Sequence, residues 1–468
     1  MPNNNQTEPD IVIVGAGFAG ITALYRLRKL GFKCLVLEKG SDIGGIWHWI
    51  CYPGARVDSY VPSYEFSMPE CWQDWEWTNN YPDYAEMRRY FNHCDEKLSI
   101  RKHVSFSTTV TGARYDEPSN TWTVECNNGQ TVRCKYLVLA VGFTSDKERF
   151  THPDTHLFEG DVYYPYRWPE DGVDPNGKRV AIVAIPVHPK PFSPGEYATL
   201  KSKYATMLET RKISPSGLAD AEPIARTTFD DPLGKRQRTY ENLYQHGGLQ
   251  FWVSSYKDMM YDEAANRQAY DFWARKTRSR IISPRKRELL APLQPPHPFG
   301  AKRPPLEQNY FEQFNRENVD VIDVKATPIS SFTSDGIITS DSTVHRADIL
   351  VFATDFKSVV TALTSLGVQG IDGVLLEDLW AEGLQTYLGI MCHGFPNMFI
   401  LDGPQAPSEM GNAPTSIEVQ GDWIAAVVEK MKSCRVVAVH PTVAAMEEWR
   451  DKVCTVAKQR LSRKTGSR

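Results

Sequence analysis

The stretch Ile11-Val12-Ile13-Val14-Gly15-Ala16-Gly17-Phe18-Ala19-Gly20 decides the fold. Four consecutive apolar residues make a short strand of the kind buried on both faces inside a parallel sheet. Gly15, Gly17 and Gly20 follow it, and the next residues continue as a helix from about Phe18 to Leu30. Gly31 falls where a helix C-cap glycine belongs. Cys34 to Leu37 forms a second strand ending at Glu38, near the ~20-residue offset at which a dinucleotide fold places its acid. Glycine-rich turns alone are common, but strand, glycines, helix, strand and acid in this order are specific. The glycines let backbone amides approach a pyrophosphate, and the helix N-terminus adds a favourable dipole. Glu38 would accept hydrogen bonds from the ribose hydroxyls. A carboxylate there repels a 2′-phosphate, which favours FAD or NAD over NADP.

Downstream, Tyr84, Met87, Phe91, Cys94 and Leu98 recur at helical spacing behind Pro82, so Asp83 to Leu98 reads as an amphipathic helix. Val104 to Val110 and Thr121 to Cys126 read as strands, Asn127-Asn128-Gly129 as a hairpin turn, and Tyr136 to Val141 as another apolar strand. Gly172 to Gly177 is a boundary by composition. Beyond the strand Arg179 to Ile185 come prolines and then helices rich in charge and aromatics, with Asp262 placed to cap the helix Asp262 to Ile281. Val319 to Val324 and Ile349 to Ala353 read as strands, and a helix runs through Trp423 to Met431.

The 468 residues are too many for one ordinary core and carry a formal net charge of -4. That charge gives no reason to expect nucleic acid or an anionic membrane as a partner, and the basic residues near Arg468 read as a solvated end. The amino-terminal residues lack a signal-peptide pattern, and no stretch has the apolar length of a membrane span. Nine scattered cysteines, with no C-x-x-C pair and no zinc-like His spacing, point to a reducing compartment. The expected location is cytoplasmic.

What selects FAD lies after the first strands. Gly44-Gly45-Ile46-Trp47 and Tyr52-Pro53-Gly54-Ala55-Arg56-Val57-Asp58 resemble the segment beneath the flavin in Baeyer–Villiger monooxygenases. The resemblance continues in family order through Phe158-x-Gly160, Trp168-Pro169, Lys302-Arg303-Pro304, Ala353-Thr354 and Gly403-Pro404, so it covers nearly the whole chain. It implies an α/β fold with two dinucleotide-binding domains. The FAD Rossmann-like domain would be discontinuous, residues 1–176 and 325–468, flanking a reduced second domain with a helical insertion at 177–324. By position, Gly45, Trp47, Asp58 and Tyr64 would lie around the isoalloxazine, with the Val110 backbone at the adenine. Arg303 matches the arginine that stabilises negative charge on the oxygenated cofactor and its ketone adduct, paired with the acid matching Asp58. Without the resemblance, Trp47, Trp49, Trp72, Trp75 and Trp77 would read as a core and surface aromatic cluster, and Arg303 as a strut to Asp58.

The chain departs from the family at the second fingerprint, the one for NADPH. Its three glycine positions fall on Ala184, Pro186 and Pro189. Proline offers no N–H to a phosphate, and its ring blocks close backbone approach. Ser193-Pro194-Gly195 follows almost at once, as though a helix and the strand carrying the 2′-phosphate-reading arginine were absent. The family's histidine between Gly160 and Trp168 is Tyr164, and the glycine of its A-T-G segment is Asp355. The expectation is therefore an FAD enzyme without NADPH. It would catalyse a redox-neutral isomerisation or cyclisation of a carbonyl-bearing small molecule, in natural-product biosynthesis, with Arg303 and Asp58 as the catalytic pair. Close behind stands oxygenation with flavin reduced by the substrate or by a separate reductase. A non-catalytic, FAD-stabilised partner protein ranks last.

Overall fold

A computed structural model describes residues 8–142, 152–183, 196–219, 221–307, 309–353, 359–406 and 411–465. Ile11–Val14 lies at the centre of a five-stranded parallel sheet. Its neighbours are Cys34–Leu37 on one side and Tyr136–Leu139 on the other. Val104–Ser105 closes one edge and Met398–Ile400, from far along the chain, closes the other. The strand alternates as its pleat requires. Ile11 and Ile13 join the core beneath the Phe18–Lys29 helix, whereas Val12 and Val14 join the core that includes Trp122, Val124 and Phe395. Burying such side chains contributes about 1.5–3 kcal/mol each. Both faces of this sheet are covered, which explains the uninterrupted apolar run.

The helix ends as expected, with Gly31 in the left-handed region at φ +82. Tyr84–Leu98 is a helix whose cap, Asp83, accepts from the Glu86 amide at 2.8 Å. Glu263–Arg278 is capped in the same way by Asp262. Ala413–Cys434 spans the expected Trp423–Met431 segment and extends it at both ends. Thr121–Cys126 pairs with Thr131–Cys134 through a turn in which Gly129 has φ +80.

Two expected strands differ. Val104 to Val110 is not one strand: Val104–Ser105 belongs to the parallel sheet, and Val110–Asp116 starts an antiparallel meander. The break is at Ser107, with φ +52, where the Ser107 and Thr108 amides turn to the carbonyls of Gly40 and Glu38. Val319 to Val324 forms no strand. Ile322 and Val324 are exposed, and no neighbouring strand among the described residues offers this segment a ladder.

The second parallel sheet is small and draws one strand from each of the three sequence segments. Asp161–Tyr163, Ile349–Phe352 and Val180–Val183 lie in that order, with Ile349–Phe352 central. Phe158, Leu350 and Phe352 pack beneath it with Phe332 and Ile337 from a separate antiparallel sheet. Val180–Val183 has one strand partner among the described residues, and its Ile182 is 63% exposed and Val180 39%.

Between these sheets in sequence, helices such as Tyr204–Ile213, Leu233–His246 and Glu263–Arg278 form the insertion. It has its own aromatic core around Tyr240, Phe251, Trp252 and Phe272. Among the described residues, no helix is long and apolar enough to cross a membrane.

Candidate active site

The site is built at the carboxyl ends of the five-stranded sheet, where strand order reverses about Ile11–Val14 and α/β folds leave a crevice. Gly15 has φ +105, and a side chain there would run into the Ala140 carbonyl on the neighbouring strand. A Cβ on Gly45 would stand 2.8 Å from Cα of Gly17, so the two loops touch backbone to backbone. Gly20 closes against Gly15 in turn. Gly17 caps the Phe18–Lys29 helix without any side-chain cap, which leaves the first-turn amides facing a crevice with no side chain in the way. This cradle suits a pyrophosphate.

Glu38 is buried. One carboxylate oxygen accepts from the Ala16 amide at 2.7 Å and the other from the Gly40 amide at 2.6 Å. The acid thus also ties the glycine turn to the end of the second strand. The Ser107–Thr108 turn, bonded to Gly40 and Glu38, carries the chain directly to buried Val110. Sequence spacing had separated these groups by some seventy residues, and the parallel ladder brings them together.

At the other end of the crevice, Trp47 is buried and meets half-buried Tyr64 edge-on at 5.9 Å. Phe18 of the first helix meets Tyr64 at 5.4 Å. Burial pushes the Tyr64 hydroxyl well above its ordinary pKa, and the nearby Asp58 charge adds to that. Arg303 grips Asp58 with two bonds, Nε to Oδ2 at 2.5 Å and Nη2 to Oδ1 at 3.0 Å. Nη2 also reaches the Ser59 hydroxyl at 3.2 Å, and Nη1 donates to the Gly411 carbonyl at 2.9 Å. The guanidinium lies 5.9 Å from the ring of Trp252, whose indole N–H is held by the Gly300 carbonyl at 3.1 Å. A planar arginine held by two bonds to one carboxylate is a fixed positive charge; aimed at a developing oxyanion, it would stabilise that charge without reorganising.

Elsewhere Tyr164 packs against Tyr166 and Phe352 in the second sheet's periphery. Buried Phe158 covers Gly160, and the Trp168 carbonyl accepts from Cys51 Sγ at 3.2 Å. Ala184, Pro186, Pro189, Ser193 to Gly195 and Asp355 lie outside the described residues. The sequence reading missed Trp252, Arg211 and Glu418. Glu418 did leave a signal: it falls on the face of its helix shared by Ile417, Gly421 and Ile424, and an acid on an apolar face calls for a partner.

Fold and crevice define a flavoprotein built on two dinucleotide folds. A model of NAD(P)-binding Rossmann-like domains matches residues 13–76. The FAD-binding monooxygenase acrE of Aspergillus aculeatus is 39% identical over 94% of this chain and 79% of its own length. The cyclopentanone 1,2-monooxygenase of Comamonas sp. is 36% identical over 96% of this chain and 86% of its own. Among solved structures, an oxidised steroid monooxygenase bound to NADP superposes with a TM-score of 0.94 at 32% identity, covering 98% of this chain and 93% of that one. OTEMO in complex with FAD and NADP gives 0.93 at 32% identity, covering 98% and 92%. The chain belongs to the FAD-binding monooxygenases of Baeyer–Villiger type.

Proposed function

We propose that the protein oxygenates a small carbonyl-bearing molecule with FAD, and that the flavin takes its electrons from the substrate or a separate reductase rather than from NADPH held on the second sheet. The observation that carries this reading is the intact Arg303–Asp58 pair at the crevice, beside a second sheet whose strand Val180–Val183 has one partner among the described residues and shows Ile182 to solvent. The FAD would lie with its pyrophosphate on Gly15, Gly17 and Gly20, its ribose at Glu38, its adenine at Val110, and its ring system beside Gly45, Trp47, Asp58 and Tyr64. Bound there, it supplies the two-electron chemistry that activates dioxygen. Arg303 holds positive charge where the carbonyl oxygen gains negative charge, and Asp58 fixes the direction of that charge. Trp47 and Tyr64 exclude water from the same end.

NADPH is not expected to bind productively. Two of the three fingerprint positions, Pro186 and Pro189, have no N–H to offer a phosphate, the third is Ala184, and Ile182 just before them stands 63% exposed. The test is anaerobic mixing of the purified holoprotein with NADPH and NADH while the flavin absorbance is followed. Persistence of the oxidised spectrum with both, and oxygen uptake once a cyclic ketone and a chemical or enzymatic reductant are present, are the expected results. Rapid bleaching by NADPH alone overturns the electron route.

A second reading is a redox-neutral isomerisation or cyclisation of the same carbonyl class, favoured by the same exposed strand. It predicts turnover without oxygen uptake and with the flavin oxidised throughout. If Arg303→Met changes neither product nor phenotype, the protein is instead a non-catalytic, FAD-stabilised partner.

A further inference from the structure

Arg211 sits on the Tyr204–Ile213 helix of the insertion and is completely buried, as is its ion-pair partner Glu418, at 0% and 1% exposure. Their separation is 2.7 Å. The guanidinium does more than pair. Nη1 donates to the carbonyls of Pro62 at 2.8 Å and Ser63 at 2.7 Å, and Nη2 to the carbonyl of Glu65 at 3.1 Å as well as to Glu418. Four Nη hydrogens thus meet four acceptors, and of the five guanidinium donors Nε alone is buried without a partner among the described residues.

Three of those acceptors belong to one loop, the continuation of Asp58 and the two sides of Tyr64. The other oxygen of Glu418 accepts from the Ser67 amide at 2.6 Å, so the same pair holds the loop at its far end. A second clamp runs alongside. Asn412 donates from Nδ2 to the Ser63 carbonyl at 2.5 Å, and its amide donates to the Ser216 carbonyl at 2.9 Å. Thr415 reaches the Gly217 carbonyl at 2.9 Å. Gly411, adjacent to Asn412, accepts from Arg303. The bonds close a circuit: Arg303 to Asp58, along the loop to Ser63, across to Asn412, and back through Gly411 to Arg303.

We propose that Arg211 is the positioning residue of this circuit. It holds residues 58–65 in the register at which Asp58 meets Arg303 and Tyr64 meets Trp47, so the helical insertion is a working part of the flavin site. Tyr60 from the same loop packs against the insertion's aromatic core, so docking and register are set together. The inference rests on the proposed seating of the flavin beside Asp58 and Tyr64.

The experiment compares FAD dissociation constants and flavin absorbance and fluorescence spectra of wild type, Arg211→Lys, Arg211→Met and the double variant Arg211→Met/Glu418→Met. The double variant leaves neither charge buried without its counterpart, while deleting the carbonyl clamp. Expected for the double variant are a cooperative but lowered melting transition, because three carbonyls and the Ser67 amide lose their partners, FAD binding weakened at least about tenfold and a displaced flavin spectrum, with partial recovery in Arg211→Lys. A folded double variant with wild-type affinity and spectrum overturns the proposal. If neither methionine variant folds, Arg211→Lys decides, since it keeps the charge but not four directed bonds: an unaltered spectrum and affinity there likewise overturns it. A wild-type protein that fails to retain FAD sinks the seating itself, an outcome distinct from either.

Discussion

The two parallel sheets share a strand–crossover logic but differ in completeness. Ile11–Val14 is flanked on both sides, covered on both faces and backed by two hydrophobic cores. Val180–Val183 is paired on one side among the described residues and shows Ile182 to solvent. The first sheet carries the glycine cradle and the acid, whereas the second carries neither in its described part. Among the described residues, the glycine cradle, the buried acid and the Arg303–Asp58 pair all gather at the first sheet.

The most severe way to break this contrast is at Gly15. Gly15→Ala forces a Cβ against the Ala140 carbonyl at φ +105, so the purified protein is expected to lose essentially all bound flavin, read from its visible absorbance. Next comes Arg303→Met, which removes the oriented charge. Turnover of an accepted ketone should fall by about 10²–10³-fold, measured with the flavin content held equal. Stability offers a direct comparison of the sheets. Leu137→Ala, in the complete sheet, is expected to cost about 2–5 kcal/mol in chemical denaturation. Ile182→Ala should stay within about 0.5 kcal/mol. Equal costs would mean that the second sheet is buttressed after all.

A pH-dependent effect concerns Glu65. Burial pushes its carboxyl up to about 8, against the opposing pull of the Trp77 indole N–H at 2.6 Å and the charges of Lys201 and Arg211, with Glu418 adding to the rise. The folded protein therefore holds a proton that the unfolded chain releases in the ordinary carboxylate range. This contribution is complete at acidic pH and is lost as pH rises towards about 8. Melting temperatures across that interval should decline in wild type and flatten in Glu65→Gln.

Much of the first sheet was legible because its signals are local: an apolar run, a glycine spacing, a capping Asp83, a terminal Gly31. The strand expected over Val104 to Val110 failed at Ser107, because the Glu38–Gly40 backbone captures two amides that a strand would have used. Val319 to Val324 had the composition of a strand but no ladder to join, and composition cannot supply a partner. Asp58 and Arg303 were legible only through family resemblance, since 245 residues separate them. Arg211 had no motif to announce it, and Glu418, 207 residues away, signalled only that an acid on an apolar helix face needs some partner. Their roles arise from where the insertion docks, which is a tertiary fact.

The exposed Ile182 also bears on how the protein behaves in a tube. A short strand paired on one side among the described residues, with an apolar side chain turned outward, is a template onto which another chain can add. Concentrated samples should self-associate through this flank before they unfold, and Ile182→Lys should keep them dispersed by placing a charge where a neighbouring chain would have to dock.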